Sequence, residues 1–308
     1  MLKICIIVPV FNLSDKLDNL LDSLDNQDLP EGEFEVIFVD DGSQDNSADI
    51  ILNRKRSNWR LIKQANKRQG AARNNGLSHT NAEYIWFVDG DDAIAPNCLG
   101  KLYSLAKKND LDVLLFKINK VKDGTIIGQI PEGYFVAQDK VLSGASYLNM
   151  RMLTLCSVYI YRRRFLTENN LHYLEDMFFE DSEFMPRIFC LAKRIMYVPI
   201  PAYMYIERTG STTNAIAPEK VLSCAKATMQ MCNNAIAAKK EVKASMHYYA
   251  AMQFNTTFAM YRKLKNKKSV QFDKSLKRKV IFSMLNAKHF KYFLEGVFLQ
   301  LFWSFIFN

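Results

Sequence analysis

Cysteine and histidine are scarce and scattered in this 308-residue chain. The six cysteines (Cys5, Cys98, Cys156, Cys190, Cys224, Cys232) contain no Cys-x-x-Cys pair, and the four histidines (His79, His172, His247, His289) are equally dispersed. A zinc centre therefore has no ligand cluster to form on, and the thiols read as reduced ones of a cytosolic protein. The N-terminus lacks the long apolar stretch and small-residue cleavage site of a signal peptide, and Ile4–Phe11 reads as a strand instead. Internal repeats and low-complexity segments are absent as well. With 49% hydrophobic and 24% charged residues, the composition excludes a disordered, collagen-like or disulfide-scaffold chain. The length admits one large domain, or a domain with an appendage.

The net charge of +9 is unevenly spread. Residues 239–291 carry fourteen Lys and Arg against Glu241 and Asp273, a local excess of +12, which leaves residues 1–238 at −2. Basicity thus belongs to the C-terminal region, and a nucleic-acid partner for the whole protein loses its support.

The first hundred residues alternate apolar runs with helical patterns. Strands are expected at Lys3–Pro9, Glu35–Val39, Trp59–Ile62, Tyr84–Val88 and Asp112–Phe116, and helices at Ser14–Asn26, Asn46–Arg56, Gly70–Ser78 and Pro96–Lys108. Strands without internal alternation, separated by helices, predict an α/β fold with a mostly parallel sheet covered on both faces. Gly124, Gly128 and Gly133 then punctuate a hairpin. Helices follow at Ala145–Leu155, Arg163–Asn169 and Glu180–Leu191, with a short strand at Ile195–Val198 and a loop approach from Tyr203 to Ser211. From Pro218 onward only Gly296 interrupts a run of helices, which predicts a boundary near residue 215.

Polar residues cluster just beyond the expected strand ends, where open α/β sheets bind ligands. In Asp89-Gly90-Asp91-Asp92, carboxylates at alternate positions can face one divalent ion, and Gly90 lets the turn approach a ligand. Such hard oxygens suit Mg²⁺ or Mn²⁺, whose shells water and substrate phosphates complete; the plainer reading is a solvated acidic turn. Asp40-Asp41-Gly42-Ser43 could accept from a nucleobase or ribose, or could merely cap the following helix. The segment Asn66–Gly76 opens a helix with small residues and Arg73, which favours phosphate. Alternatively, Gly70-Ala71-Ala72 simply permits close helix–sheet packing.

Taken together, the motifs Val8-Pro9-Val10-Phe11-Asn12, Val39-Asp40-Asp41-Gly42-Ser43-Gln44-Asp45, Asn66 through Gly76 and Glu83 through Asp92 resemble those of the family-two glycosyltransferases of the GT-A fold. Four motifs in order over about ninety residues make the match specific. More weakly, the resemblance extends to about residue 213: Phe179-Glu180-Asp181 stands where that family carries its Glu-Asp motif. Tyr205–Ser211 resembles a basic loop in which Ile206 here replaces one arginine, leaving Arg208.

The resemblance implies a GT-A catalytic domain over residues 1–215 and a helical, basic extension over 216–308. It implies donor contacts at Pro9, Phe11, Asn12, Asp40, Asp41, Gly70, Arg73, Asp89, Gly90 and Arg208, with Mn²⁺ or Mg²⁺ at Asp89, Asp91 and Asp92. Asp40 is expected to hold the base, most often uracil in this fold; Asp92 orients the donor sugar or shares the metal. Asp181, with Glu180, is expected to take the proton of an acceptor hydroxyl as it attacks the anomeric carbon, a single displacement with inversion. Expected partners are a nucleotide-sugar donor and a glycan or lipid-linked acceptor in surface-polysaccharide synthesis.

The fifteen residues Phe293–Phe307 are aromatic-rich yet short for a span of a ~30 Å hydrocarbon core. Next to the basic stretch they suit a helix lying in an anionic membrane surface, peripheral on the cytoplasmic face. The alternative is a helix packed on the catalytic domain or on a second copy in a homodimer. Two other classes share the acidic strand ends: a nucleotidyltransferase, although no Gly-rich signature with a following lysine stands near the first strand, and a nonenzymatic carbohydrate- or lipid-binding module.

Overall fold

A computed structural model describes the chain except for residues 55, 131–137, 151–153, 209–215, 290, 293, 298 and 300–308. The elements run β1 (Ile4–Val10), α1 (Leu17–Asp25), β2 (Phe34–Asp40), α2 (Ser47–Arg54), β3 (Trp59–Lys63), α3 (Arg68–Ser78), β4 (Tyr84–Phe87), β5 (Ala93–Ile94), α4 (Leu99–Lys108), β6 (Val113–Lys122) and β7 (Thr125–Ile130). They continue with β8 (Val141–Leu142), α5 (Gly144–Asn149), β9 (Tyr159–Arg162), α6 (Arg163–Glu168), α7 (Glu180–Leu191), β10 (Ile195–Ile206), α8 (Pro218–Ala237), α9 (Lys240–Lys263) and α10 (Lys274–Leu285). The chain forms two compact units, Met1–Asp176 with Leu191–Thr209, and Met177–Cys190 with Gly210–Asn308. The segment that carries Glu180 and Asp181 therefore belongs with the C-terminal helices.

The first unit is an α/β sheet in the order β3-β2-β1-β4-β9-β6-β10-β5. Strands β3, β2, β1 and β4 are parallel, and every residue of β1 and β2 is buried, which is why these runs are apolar without alternation. Pro9 lies beyond the last β1–β4 pair, Ile7–Phe87, where a missing N–H breaks no ladder bond to β4. Helix α1 buries Leu17, Leu20, Leu21 and Leu24 as one stripe. Helix α3 packs closely on the sheet: Ala71, Ala72 and Gly76 are buried, and a Cβ at Gly76 would overlap Ile7 Cγ2.

Past β4 the sheet is mixed. β9 lies antiparallel between β4 and β6, and β6 pairs in parallel with β10. β6 runs six residues beyond the expected Phe116 into a two-residue hairpin, where Asp123 (φ 49°) and Gly124 (φ 74°) both take the left-handed conformation that the twist of such turns requires. Gly133 of the expected hairpin lies outside the described residues, as do residues 151–153 of the expected helix Ala145–Leu155.

The largest departure from expectation is β10, a twelve-residue strand where the sequence pattern suggested four strand residues and then a loop. Pro199 and Pro201 fall inside it, and the pairing with β6 absorbs them through register shifts between Tyr197 and Tyr203.

In the second unit, two residues link α8 to α9, so the helices run as antiparallel neighbours. Their interface holds a buried polar seam: Gln253 Nε2 and Thr257 Oγ1 donate to Cys224 Sγ at 3.2 and 3.1 Å, and Thr228 Oγ1 lies 3.0 Å from Thr257 Oγ1. Against α10, His247 is 1% exposed with Nδ1 3.1 Å from Ser283 Oγ, and its buried Nε2 has no hydrogen bond among the described residues. Burial, and after it the charge of Lys243, lowers the imidazole to about 4.

A folded-state pKa below the unfolded one means that the unfolded chain binds the extra proton first as pH falls. The second unit should lose stability between about pH 6.5 and 4, on the order of 2–3 kcal/mol. Denaturant titration at pH 7.5 and pH 5 should show this loss, and His247→Gln should flatten it.

Candidate active site

The loops at the C-terminal ends of β1 and β2 are tied to each other. Asn12 (φ 52°) accepts from the Gln44 N–H at 2.8 Å, while its own N–H donates to Ser43 Oγ at 3.1 Å. Asp45 accepts from Ser14 N–H and Ser47 N–H at 3.0 Å and from Ser47 Oγ at 2.6 Å. Against the opposing effect of burial, these bonds hold its carboxyl down at about 2. Phe11, at the tip of the first loop, is 46% exposed.

Asp40 and Asp41 are both buried and do different work. Asp40 Oδ1 accepts from the Ser43 N–H at 2.9 Å, and Oδ2 makes no hydrogen bond among the described residues. Asp41 Oδ1 instead accepts from Gln64 Nε2 and the Lys67 N–H, both at 2.8 Å, and so fastens the segment leading into α3. The side chain serves as a clamp between β2 and α3.

Helix α3 delivers Arg73 to the end of β4. Its side chain is 3% exposed, Nη2 donates to Asp89 Oδ1 at 2.7 Å and to Gln69 Oε1 at 3.0 Å, and the guanidinium lies 5.3 Å from the Tyr173 ring centre. Gly70 is buried in the first turn of the same helix. Gly90 is closely packed: a Cβ there would stand 2.6 Å from Leu13 Cδ1, which would have to move, and 3.1 Å from the Pro9 carbonyl oxygen.

Asp91 remains half-exposed, with Oδ2 3.0 Å from Arg208 Nη1. Nη1 is thus ion-paired, while Nη2 is buried and has no hydrogen-bond partner among the described residues. Burial, then the charge of Asp89, raises the Asp91 carboxyl above its ordinary range, and Arg208 opposes the shift.

Asp92 departs from its expected role. It is 3% exposed, Oδ2 accepts from Tyr203 Oη at 2.6 Å and Oδ1 from the Ile206 N–H at 2.9 Å. Burial and the charges of Asp89 and Asp91 push this carboxyl well above the carboxylate range. Its two oxygens hold β10 to the acidic turn, which leaves Asp89 and Asp91 as the carboxylates open to a ligand. Tyr203 was missed in the sequence because its strand was not recognised. A tyrosine followed two residues later by another is no signal without that strand.

Two half-open carboxylates at a strand end fit a hard divalent ion that takes the rest of its shell from water and phosphate. Among the described residues no group of three or more His, Cys, Asp or Glu is placed to hold a metal by itself. The donor set therefore suits an ion that arrives with, or is completed by, a phosphorylated ligand.

Glu180 and Asp181 open α7 in the helical unit, Glu180 buried and Asp181 half-buried, with the Ser182 N–H donating to Asp181 Oδ1 at 2.7 Å. The residue before them, Phe179, is held at φ 64°. For a bulky aromatic this costs on the order of 1–2 kcal/mol. The structure thus gathers Asp40, Arg73, Asp89, Asp91 and Arg208 on the sheet unit, and assigns the Glu180–Asp181 pair to the other.

Residues 5–173 match the family model described as Glycosyl transferase family 2. The chain is 30% identical over 217 residues to the Bacillus subtilis glycosyltransferase EpsJ, covering 68% of this chain and 62% of EpsJ. It is 31% identical over 227 residues to TarS of Staphylococcus aureus, a poly(ribitol-phosphate) beta-N-acetylglucosaminyltransferase, covering 71% of this chain and 38% of TarS. The chain thus spans less than two thirds of the length of either relative. The crystal structure of S. aureus TarS residues 1–349 with UDP-GlcNAc superposes with a TM-score of 0.69 at 25% identity, over 93% of this chain and 82% of that one.

Proposed function

Since the chain belongs to glycosyl transferase family 2, we propose that it moves a sugar from a UDP-linked donor to a hydroxyl of a glycan or lipid-linked acceptor in surface-polysaccharide synthesis. The observation that carries the donor reading is the pair of guanidinium–carboxylate contacts at one strand end, Arg73 on Asp89 and Arg208 on Asp91. Arg208 Nη2 is buried and has no hydrogen-bond partner among the described residues, and a diphosphate oxygen would supply the acceptor. Asp40 Oδ2 would accept from the N–H of a uracil ring. Bound at Asp89 and Asp91, Mn²⁺ or Mg²⁺ would supply neutralisation of diphosphate charge.

In the proposed reaction the acceptor oxygen bonds to the anomeric carbon from the face opposite the diphosphate. The bond from that carbon to the diphosphate oxygen breaks and its electron pair leaves with UDP, so the configuration inverts. Arg73 and Arg208 meet the charge that develops on the leaving group. Asp181 takes the acceptor proton. The acceptor class is supported by the named activities of the relatives, poly(ribitol-phosphate) glycosyltransferases among them.

Calorimetric titration tests the donor site directly. With Mn²⁺ present UDP should bind, Asp91→Ala should weaken binding roughly tenfold or more, the loss of one ionic contact, and EDTA should do the same to the unaltered protein. Unchanged affinity in both cases would reject the carboxylate–metal–diphosphate reading.

We also infer a peripheral attachment to an anionic membrane surface through residues 239–308. Support comes from exposed Lys263, Lys265, Lys267, Lys268, Arg278 and Lys291 together with the outward Phe282, Leu294 and Val297, at 46%, 52% and 37% exposure. Among the described residues no helix is long and apolar enough to cross a membrane. Phe293, Phe298 and residues 300–308 of the aromatic end lie outside the described residues.

Each Lys or Arg at such a surface contributes up to about 1 kcal/mol, screened within about 8–10 Å at physiological salt. Cosedimentation with anionic vesicles should therefore weaken as salt rises but persist through the apolar residues. A chain ended near Lys291 should lose the salt-resistant part. Protein left in the supernatant at low salt would favour packing of this region on the protein itself or on a second copy.

A further inference from the structure

Helix α7 lacks one of the backbone hydrogen bonds that would hold its first turn. Pro186 stands inside it, so the Ser182 carbonyl has no N–H to accept from four residues on. The turn that bears Glu180 and Asp181 needs anchors from elsewhere, and two contacts to α8 bracket it. On one side Lys220, itself 7% exposed, places its ammonium 5.5 Å from the centre of the Phe178 ring. On the other, Glu183 is 1% exposed and its carboxylate accepts three hydrogen bonds: Arg187 Nε at 2.8 Å and Nη2 at 2.7 Å, reaching across the proline, and Asn234 Nδ2 at 2.8 Å from α8.

A buried carboxylate is stable only when so compensated, and Arg187 already supplies the opposite charge. The Asn234 amide adds no charge. What it adds is a fixed direction, a donor from α8 that sets the rotation of α7 about its axis. Asp181 lies two residues from Glu183, so a rotation that moves one carboxylate moves the other.

We propose that Glu183 and Asn234 are positioning residues for Asp181, and that α8 is the platform on which the base-bearing turn is aimed. The proposal rests on the reading of Asp181 as the base. It gives the C-terminal helices a part in turnover that is separate from any surface attachment.

The test is a double-mutant cycle on the full chain. The probe is UDP release, with water as acceptor, from whichever of UDP-glucose, UDP-galactose and UDP-GlcNAc turns over fastest. Asn234→Ala should lower kcat about 10- to 100-fold, the penalty of a small misalignment. KM for the donor and calorimetric UDP affinity should stay unchanged. Asn234→Gln, which keeps the amide, should recover part of the loss. In an Asp181→Asn background, where kcat falls roughly 10²–10⁴-fold, Asn234→Ala should have no further effect, because its influence passes through the missing base.

Near-normal turnover in Asp181→Asn would overturn the assignment of the base, and this proposal with it. A large loss in Asp181→Asn with an additive loss from Asn234→Ala would overturn the positioning role alone. So would parallel falls in kcat, UDP affinity and thermal midpoint in Asn234→Ala, which mark general destabilisation. Amide hydrogen exchange gives a readout independent of activity: Asn234→Ala should speed exchange at residues 180–185 and leave α9 unchanged. Unaltered exchange there would also count against the proposal.

Discussion

Three carboxylates crowd into four residues at the end of β4, and the sheet unit is arranged around the repulsion among them. Each carboxylate has its own remedy. Asp89 has the buried Arg73 from α3, Asp91 has Arg208 from beyond β10, and Asp92 has the Tyr203 hydroxyl and the Ile206 amide. The first two remedies are cationic and leave the carboxylates half-open. The third is neutral and buried, so it fixes Asp92 as a structural member while the excess negative charge stays with its neighbours. On the proposed reading, this balance would suit a divalent cation at the carboxylates and a phosphate at the guanidinium groups, the two halves of a metal–nucleotide ligand.

The early part of this arrangement was legible in sequence because it is local. Buried parallel strands leave unbroken apolar runs, and the turns that follow them are written as short acidic and small-residue strings. Thus β1 through α4, apart from the two-residue β5, could be placed to within a few residues. The hydrogen bonds that brace this turn from distant parts of the chain were illegible for a different reason. Asp92 and Tyr203 are 111 residues apart, and Asp41 reaches Gln64 and Lys67 across an intervening helix and strand. No spacing rule links such partners, and Pro199 and Pro201 disguise the strand that brings Tyr203 into place.

The helical unit shows the opposite limit. Its helices were plain from the near absence of Gly and Pro, yet their membership was not. The segment 177–190 joins them through side chains such as Glu183, which in sequence is one more acidic residue in a helix's first turn. That acidic turn has an ordinary explanation in the helix dipole. Only the burial of Glu183 and its partners Arg187 and Asn234 show that it is an inward anchor.

Chain order and spatial membership therefore disagree at residues 177–190, and the disagreement bears on how such a protein can be divided or recombined. A cut after residue 215 would keep the motifs and sever the proposed base from the helices that hold it. A graft of residues 216–308 onto another sheet domain would bring α8 without the helix it clamps. The interchangeable part, on this geometry, is a split piece made of two stretches of chain, and the family-matched span 5–173 ends just before the first of them begins. Relatives that vary the C-terminal helices would then have to vary residues 177–190 in step.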